Sequence, residues 1–242
     1  MKLAKYFESV SDGFQLADKN FWDAQFAHTG RKVRGTEGYV FATEWALLLD
    51  RDELIKHPAA EEFRFLIPFI PCVDSSSIVC FRVRGIIEKT PHSDEMGPPP
   101  INMETIGGRY NVPGEHVLYL SNSEDGAILE FLAQRMKGVP FIQRYRLPVD
   151  KLHIADLLRI PPDHFVCQVF SKAEECNIEG RGQPGYNFSQ VIAELVKANF
   201  DGMRVPGVHG VPGEQYANIV IFCPFPDWPD WLEPGFTPYC FY

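Results

Sequence analysis

Five short stretches of three to seven residues are compact runs of strand-forming side chains, and they constrain this chain more than any other feature. They are Ile78–Phe81, Val117–Leu120, Phe141–Leu147, Met203–Val205 and Asn218–Phe222. Each reads as a strand. Between them lie helix-like segments at irregular intervals. Ser121-Asn122-Ser123-Glu124 fits the S-x-x-E capping pattern, which predicts a helix from there to about Met136. A second helix is predicted over Phe188–Asn199, with Val191, Ile192, Leu195 and Val196 inward. Strands and helices that mix without a regular βαβ alternation place the chain in the α+β class.

The first 76 residues have a different texture and read as mostly helical. Phe14, Phe21, Trp22 and Phe26 recur at the spacing of one buried helical face. Glu44–Lys56 is a further helical segment, and Pro68 and Pro71 interrupt the apolar run behind it. A long loop with Pro98-Pro99-Pro100 at its centre is expected over Lys89–Thr105. From Pro224 the chain is rich in proline and aromatic residues and is expected to pack irregularly. These shifts divide the chain into a helical extension (1–76), a main domain (77–224) and a C-terminal tail (225–242). No internal repeat is visible.

Composition excludes several functions. With 23 Lys+Arg against 32 Asp+Glu among 242 residues, the net charge is −9. Binding nucleic acid directly needs clustered cations to neutralise phosphates, and no such cluster is present. No apolar run approaches the roughly 18 residues of a membrane span, so no membrane association is expected. The N-terminus turns polar after four residues, unlike a signal peptide, and a cytoplasmic location is expected. No two cysteines are closer than the 8 positions between Cys72 and Cys80. Without CxxC or HExxH spacing no metal site is expected, and the thiols read as reduced and buried.

Three segments only superficially suggest chemistry. Gly180–Gly185 lacks the spacing of a phosphate loop and reads as a flexible loop. His153 and Asp156 stand at helical spacing without a nucleophile beside them, and Ser75–Ser77 looks like a linker. More informative is Ile106-Gly107-Gly108-Arg109-Tyr110-Asn111-Val112-Pro113-Gly114, followed by the strand bearing Tyr119 and the helix bearing Glu130. Paired glycines admit positive φ or a close ligand, and Arg109 offers a fixed-charge fork suited to phosphate. Singly, Arg109 reads equally as a surface cation, Tyr119 as a core aromatic and Glu130 as a solvated helix acid. Pattern alone therefore reaches an unspecified phosphate-ligand site.

At these residues the chain resembles the RES domain family. The resemblance is carried by Phe81-Arg82-Val83-Arg84, the Gly-Pro-Pro-Pro loop, Gly108-Arg109-Tyr110-Asn111 with Gly114, Leu118-Tyr119-Leu120 and Ala127–Glu130. It continues through Ser189-Gln190, Phe200-Asp201-Gly202 and Asn218–Phe222. It implies an ADP-ribosyltransferase-like fold and an enzyme that cleaves NAD⁺ between nicotinamide and ribose. Such an enzyme is a glycohydrolase or phosphorylase that acts as the toxin of a toxin–antitoxin pair, with a cognate antitoxin as partner. NAD⁺ is then the substrate and no separate cofactor is implied. By motif position, Arg82, Glu130 and Ser189 are the catalytic set, with Asn187 the alternative to Ser189. Arg82, Gly108, Arg109, Asn111 and Tyr119 would bind NAD⁺. Gly207 departs from the family pattern, standing where related sequences commonly carry a serine. Water, inorganic phosphate or a protein side chain remain open as acceptor. The alternatives are a mono-ADP-ribosyltransferase with a macromolecular target, and a non-catalytic domain that binds a dinucleotide or a partner.

Overall fold

The computed structural model describes residues 35–74, 78–86, 107–133, 138–148, 150–178, 183–207, 216–222, 228–233 and 239–240. The helices are α1 (Gly35–Ala46), α2 (Arg51–Lys56), α3 (Pro58–Leu66), α4 (Glu124–Ala133), α5 (Phe165–Ile178) and α6 (Gln183–Lys197). The strands are β1 (Ile78–Ile86), β2 (Leu118–Ser121), β3 (Val139–Leu147), β4 (Ile154–Asp156), β5 (Gly202–Pro206), β6 (Ala217–Ile221) and β7 (Tyr239–Cys240). This is an α+β chain with helices ahead of the main domain. Its two compact units are not consecutive stretches: one takes in residues 1–72, 105–113 and 155–199, the other 73–104, 114–154 and 200–242.

The first unit is built on aromatic packing among helices. Trp45 of α1 is fully buried, and its indole N–H donates to the Leu54 carbonyl at 2.7 Å. Phe188 meets it edge-on with ring centroids 5.1 Å apart, and Phe63 packs at 5.8 Å. Phe41 stacks on Phe165 of α5. Such ring pairs contribute about 0.5–1.5 kcal/mol each beyond the area they bury. The N-terminal helices thus share a core with α5 and α6. The expected stripe at Phe14, Phe21, Trp22 and Phe26 lies outside the described residues, as do the Lys89–Thr105 loop and the Ser75–Ser77 linker.

Several local expectations change here. Glu44–Lys56 is not one helix. Asp50, in extended conformation, accepts from the N–H groups of Asp52 and Glu53, so α2 starts afresh after α1 has ended at Ala46. Helix α6 begins at Gln183, five residues before its expected start, with Pro184 in the first turn where its missing N–H costs nothing. Residues 183–185 of the expected flexible loop are therefore helical, and 180–182 lie outside the described residues. Helix α5 has no counterpart in the sequence reading. Phe165, Val166, Cys167, Val169, Phe170 and Ala173 are all buried, and the polar Gln168 and Lys172 are buried with them, so these polar positions do not mark a solvent face.

The second unit centres on a sheet of order β4-β5-β6-β2-β1-β3-β7. Strand β1 pairs antiparallel with β3 without a break from Ile78↔Leu147 to Ile86↔Val139. With β2 it shares the single pair Phe81↔Ser121 among the described residues, while β2 pairs with β6 along its whole length. Alternation then sorts the side chains into two faces. Cys80, Leu118, Leu120, Tyr145, Leu147, Ile219, Ile221 and Trp231 form one core. On the other face Val83 and Ile142 pack under Ala127 and Phe131 of α4. Among the described residues of the tail, Tyr239–Cys240 pairs with β3, and Glu233 bridges Arg144 and Arg146. The expected His153–Asp156 helical pair is strand and strand edge, where the His153 N–H donates to Asp201 Oδ2.

Candidate active site

The carboxylate of Glu130 is a hydrogen-bonded polar centre of the sheet unit. It sits on α4, whose start is set by Ser123. That hydroxyl accepts the Gly126 N–H at 3.0 Å, and the Ser123 carbonyl accepts the Ala127 N–H. The expected cap, Ser121, is instead the last residue of β2; the S-x-x-E match was displaced by two residues from the operative serine. On Glu130, Oε1 accepts two hydrogen bonds, from the Tyr216 hydroxyl at 2.7 Å and from Asn218 Nδ2 at 2.6 Å. Asn218 stands opposite Ser121 across the β2–β6 register, and Val220 opposite Tyr119. Tyr119, Ser121 and Asn218 therefore share the face that α4 covers, and Glu130 reaches the sheet there.

Arg82 enters from elsewhere. Alternation pairs it with Gln143 on the face that carries Cys80 and Tyr145. It is only 7% exposed. Burial pushes the Tyr145 hydroxyl well above its ordinary range, and the charges of Arg82 and then Arg84 act in the opposite direction. Arg82 follows Phe81, which among the described residues is the one position at which β1 pairs with β2, so it stands where those strands part.

In the helical unit the glycine stretch forms a tight turn. Gly107 has φ +67°, and a Cβ there would run into the Asn111 carbonyl oxygen and the Val112–Pro113 backbone, so only glycine fits. The Gly108 N–H donates to the Asn111 carbonyl at 3.1 Å and to its side-chain oxygen at 3.0 Å. Two adjacent residues of α6 hold this turn from outside. Gln190 Nε2 donates to the carbonyls of Gly108 and Asn111 at 2.9 and 3.0 Å, and the fully buried Ser189 hydroxyl donates to the Arg109 carbonyl at 2.5 Å. Asn187 is engaged at Leu49, where its amide donates to the carbonyl.

The family model for the RES domain matches residues 80–232, well over half of the chain. The chain belongs to the RES domain family. Searches of curated proteins and of solved structures return no match. The RES domain so matched takes in Arg82, the glycine turn, Tyr119, Glu130 and Ser189, and it starts after α1–α3.

Within this RES domain the structure places the expected residues in three groups, Arg82 standing by itself on the sheet face opposite the one that α4 covers. Tyr119 and Glu130 share a sheet face in one unit, while Gly108, Arg109, Asn111 and Ser189 belong to the turn of the other. Sequence reasoning assigned no role to Tyr216, Asn218 or Gln190. Asn218 and Gln190 lay inside recognised motifs. Tyr216 had only one available signal, its position two residues before Asn218 and so on the same strand face. Gly207 also has a structural reason: a Cβ there would overlap the Tyr216 ring. Among the described residues no three His, Cys, Asp or Glu side chains are grouped as a metal ion would need, and no helix is long and apolar enough to cross a membrane.

Proposed function

We propose that this RES domain protein cleaves NAD⁺ at the nicotinamide–ribose bond, as a glycohydrolase or phosphorylase, and serves as a toxin held in check by a protein antitoxin. The observation that carries this reading is Glu130, a carboxylate whose orientation is set by two donors on the sheet face shared with Tyr119. When the bond breaks, its electron pair leaves with neutral nicotinamide, and positive charge spreads over ribose C1′ and the ring oxygen. A preoriented carboxylate stabilises that charge without reorganising as it forms. Water or inorganic phosphate then adds to C1′; with water, one proton passes to solvent. Tyr119 offers a ring for nicotinamide to pack against; Arg82, almost fully buried on the opposite face of the sheet, is given no substrate contact in this scheme. Ser189 takes no nucleophilic part in this scheme, since its hydroxyl is committed to the Arg109 carbonyl.

The test is nicotinamide release from NAD⁺, with and without inorganic phosphate, read by mass spectrometry. Glu130→Gln is expected to lower kcat by about 10²–10³-fold, the range for removal of one transition-state-stabilising group. ADP-ribose as product names water as acceptor, and its 1″-phosphate names phosphate. Full turnover in Glu130→Gln would exclude the mechanism. A mass increase on a macromolecule would point to ADP-ribosyl transfer instead.

A further inference from the structure

The Tyr216 ring lies between two glycines. At Gly126, in the first turn of α4, a Cβ would come within 2.5 Å of the ring's Cγ and Cδ2. At Gly207, at the end of β5, a Cβ would overlap Cδ2, Cε2 and Cζ of the same ring, and the Gly207 N–H donates to the Tyr216 carbonyl at 2.8 Å. Neither glycine has positive φ, so backbone freedom does not explain them. Space does. Gly126 is four residues before Glu130, one helical turn and about 6 Å along the axis, which is close to the reach of a tyrosine from Cβ to hydroxyl. A ring resting on Gly126 therefore brings its oxygen level with the Glu130 carboxylate, where it donates at 2.7 Å.

We infer that Tyr216 is a positioning residue for Glu130, and that Gly126 and Gly207 form the slot admitting its ring. Tyr216 is almost fully buried, so ring and hydroxyl are held together with little freedom. The Asn218 amide donates to the same Oε1, and the two donors define one rotamer of the carboxylate. Tyr216 acts through Glu130 rather than on substrate.

The rate arm of the test rests on the NAD⁺ reading; a spectroscopic arm does not. Tyr216→Phe keeps the ring and removes only the donor. Its kcat for nicotinamide release is expected to fall about 10- to 100-fold, as for a misplaced catalytic group, with KM within about twofold and the thermal midpoint near wild type. Gly207→Ala, which displaces the ring, is expected to lose a similar factor, and Tyr216→Phe added to it should cost nothing further. Wild-type kcat in Tyr216→Phe overturns the positioning role. For the second arm, the Raman tyrosine doublet of Tyr216 is isolated as the difference between wild type and Tyr216→Phe, and again in a Glu130→Ala background. A strong-donor signature that disappears with Glu130 is expected; a signature indifferent to residue 130 overturns the inference. Wild-type protein that releases no nicotinamide removes the NAD⁺ reading alone, and the Raman arm then decides the pair.

Discussion

Ser189 and Glu130 both look like reactive groups when taken from their motifs, and their hydrogen bonds separate them. Ser189 is fully buried and gives its proton to a main-chain carbonyl, which is how a structural hydroxyl behaves. Ser189→Ala removes that donor from the partly buried Arg109 carbonyl, at a cost of about 1 kcal/mol. Thermal denaturation is expected to show a lowered midpoint, while nicotinamide release survives. Loss of turnover as deep as that of Glu130→Gln, at unchanged stability, would restore a catalytic role to the hydroxyl. Glu130 is held from outside by neutral donors, and its rate effect should exceed its stability effect. The solvated-acid alternative for Glu130 follows from helix position alone. Nothing local indicates that residues 216 and 218 would meet it.

At the scale of elements, the start of α4 separates pattern from geometry. The capping motif names Ser121, yet β2 continues through Ser121, and Ser123 accepts the Gly126 N–H. Ser123→Ala is expected to lower stability by about 1 kcal/mol, the usual worth of such a cap. Ser121, whose oxygen lies 3.4 Å from the Ser123 N–H, should matter less when replaced by alanine. Urea unfolding of the two variants side by side checks the order, and the reverse order would return the cap to Ser121. The strands were readable because alternating and β-branched residues report a local period, and each sequence-read strand has a counterpart within a few residues. Helix α5 was not read, and in its first half Gln168 and Lys172 are buried along with the apolar residues, so the polar positions there do not mark a solvent face.

For the whole molecule, interleaving is the main structural result. Residues 155–199, between two parts of the sheet unit in sequence, share a core with the N-terminal helices, so α1–α3 are integral to the aromatic packing around Trp45. Burial also sets the response to alkali. The thiols of Cys80 and Cys167 and the hydroxyl of Tyr145 all ionise far above their ordinary values because the folded interior disfavours the charged form. The unfolded chain releases these protons near the usual 9.0 for thiol and 10.0 for tyrosine, whereas the folded chain retains them. Their contribution to stability is therefore intact at neutral pH and is lost as pH rises above that range. The slope is expected to be about 1.4 kcal/mol per pH unit for each group, and denaturation midpoints measured from pH 8 to 11 check it. What the sequence by itself determined was the α+β class, the positions of most elements, the placing of Glu130 on a helix and the glycine requirement of the turn. These follow from local periodicity and from conformational preferences of neighbouring residues. Only the tertiary structure decided the partners: Tyr216 and Asn218 lie 86 and 88 positions from Glu130, and Ser189 lies 80 from Arg109. Contacts over such separations depend on strand order and on how each unit is assembled, and no local pattern in the chain records them.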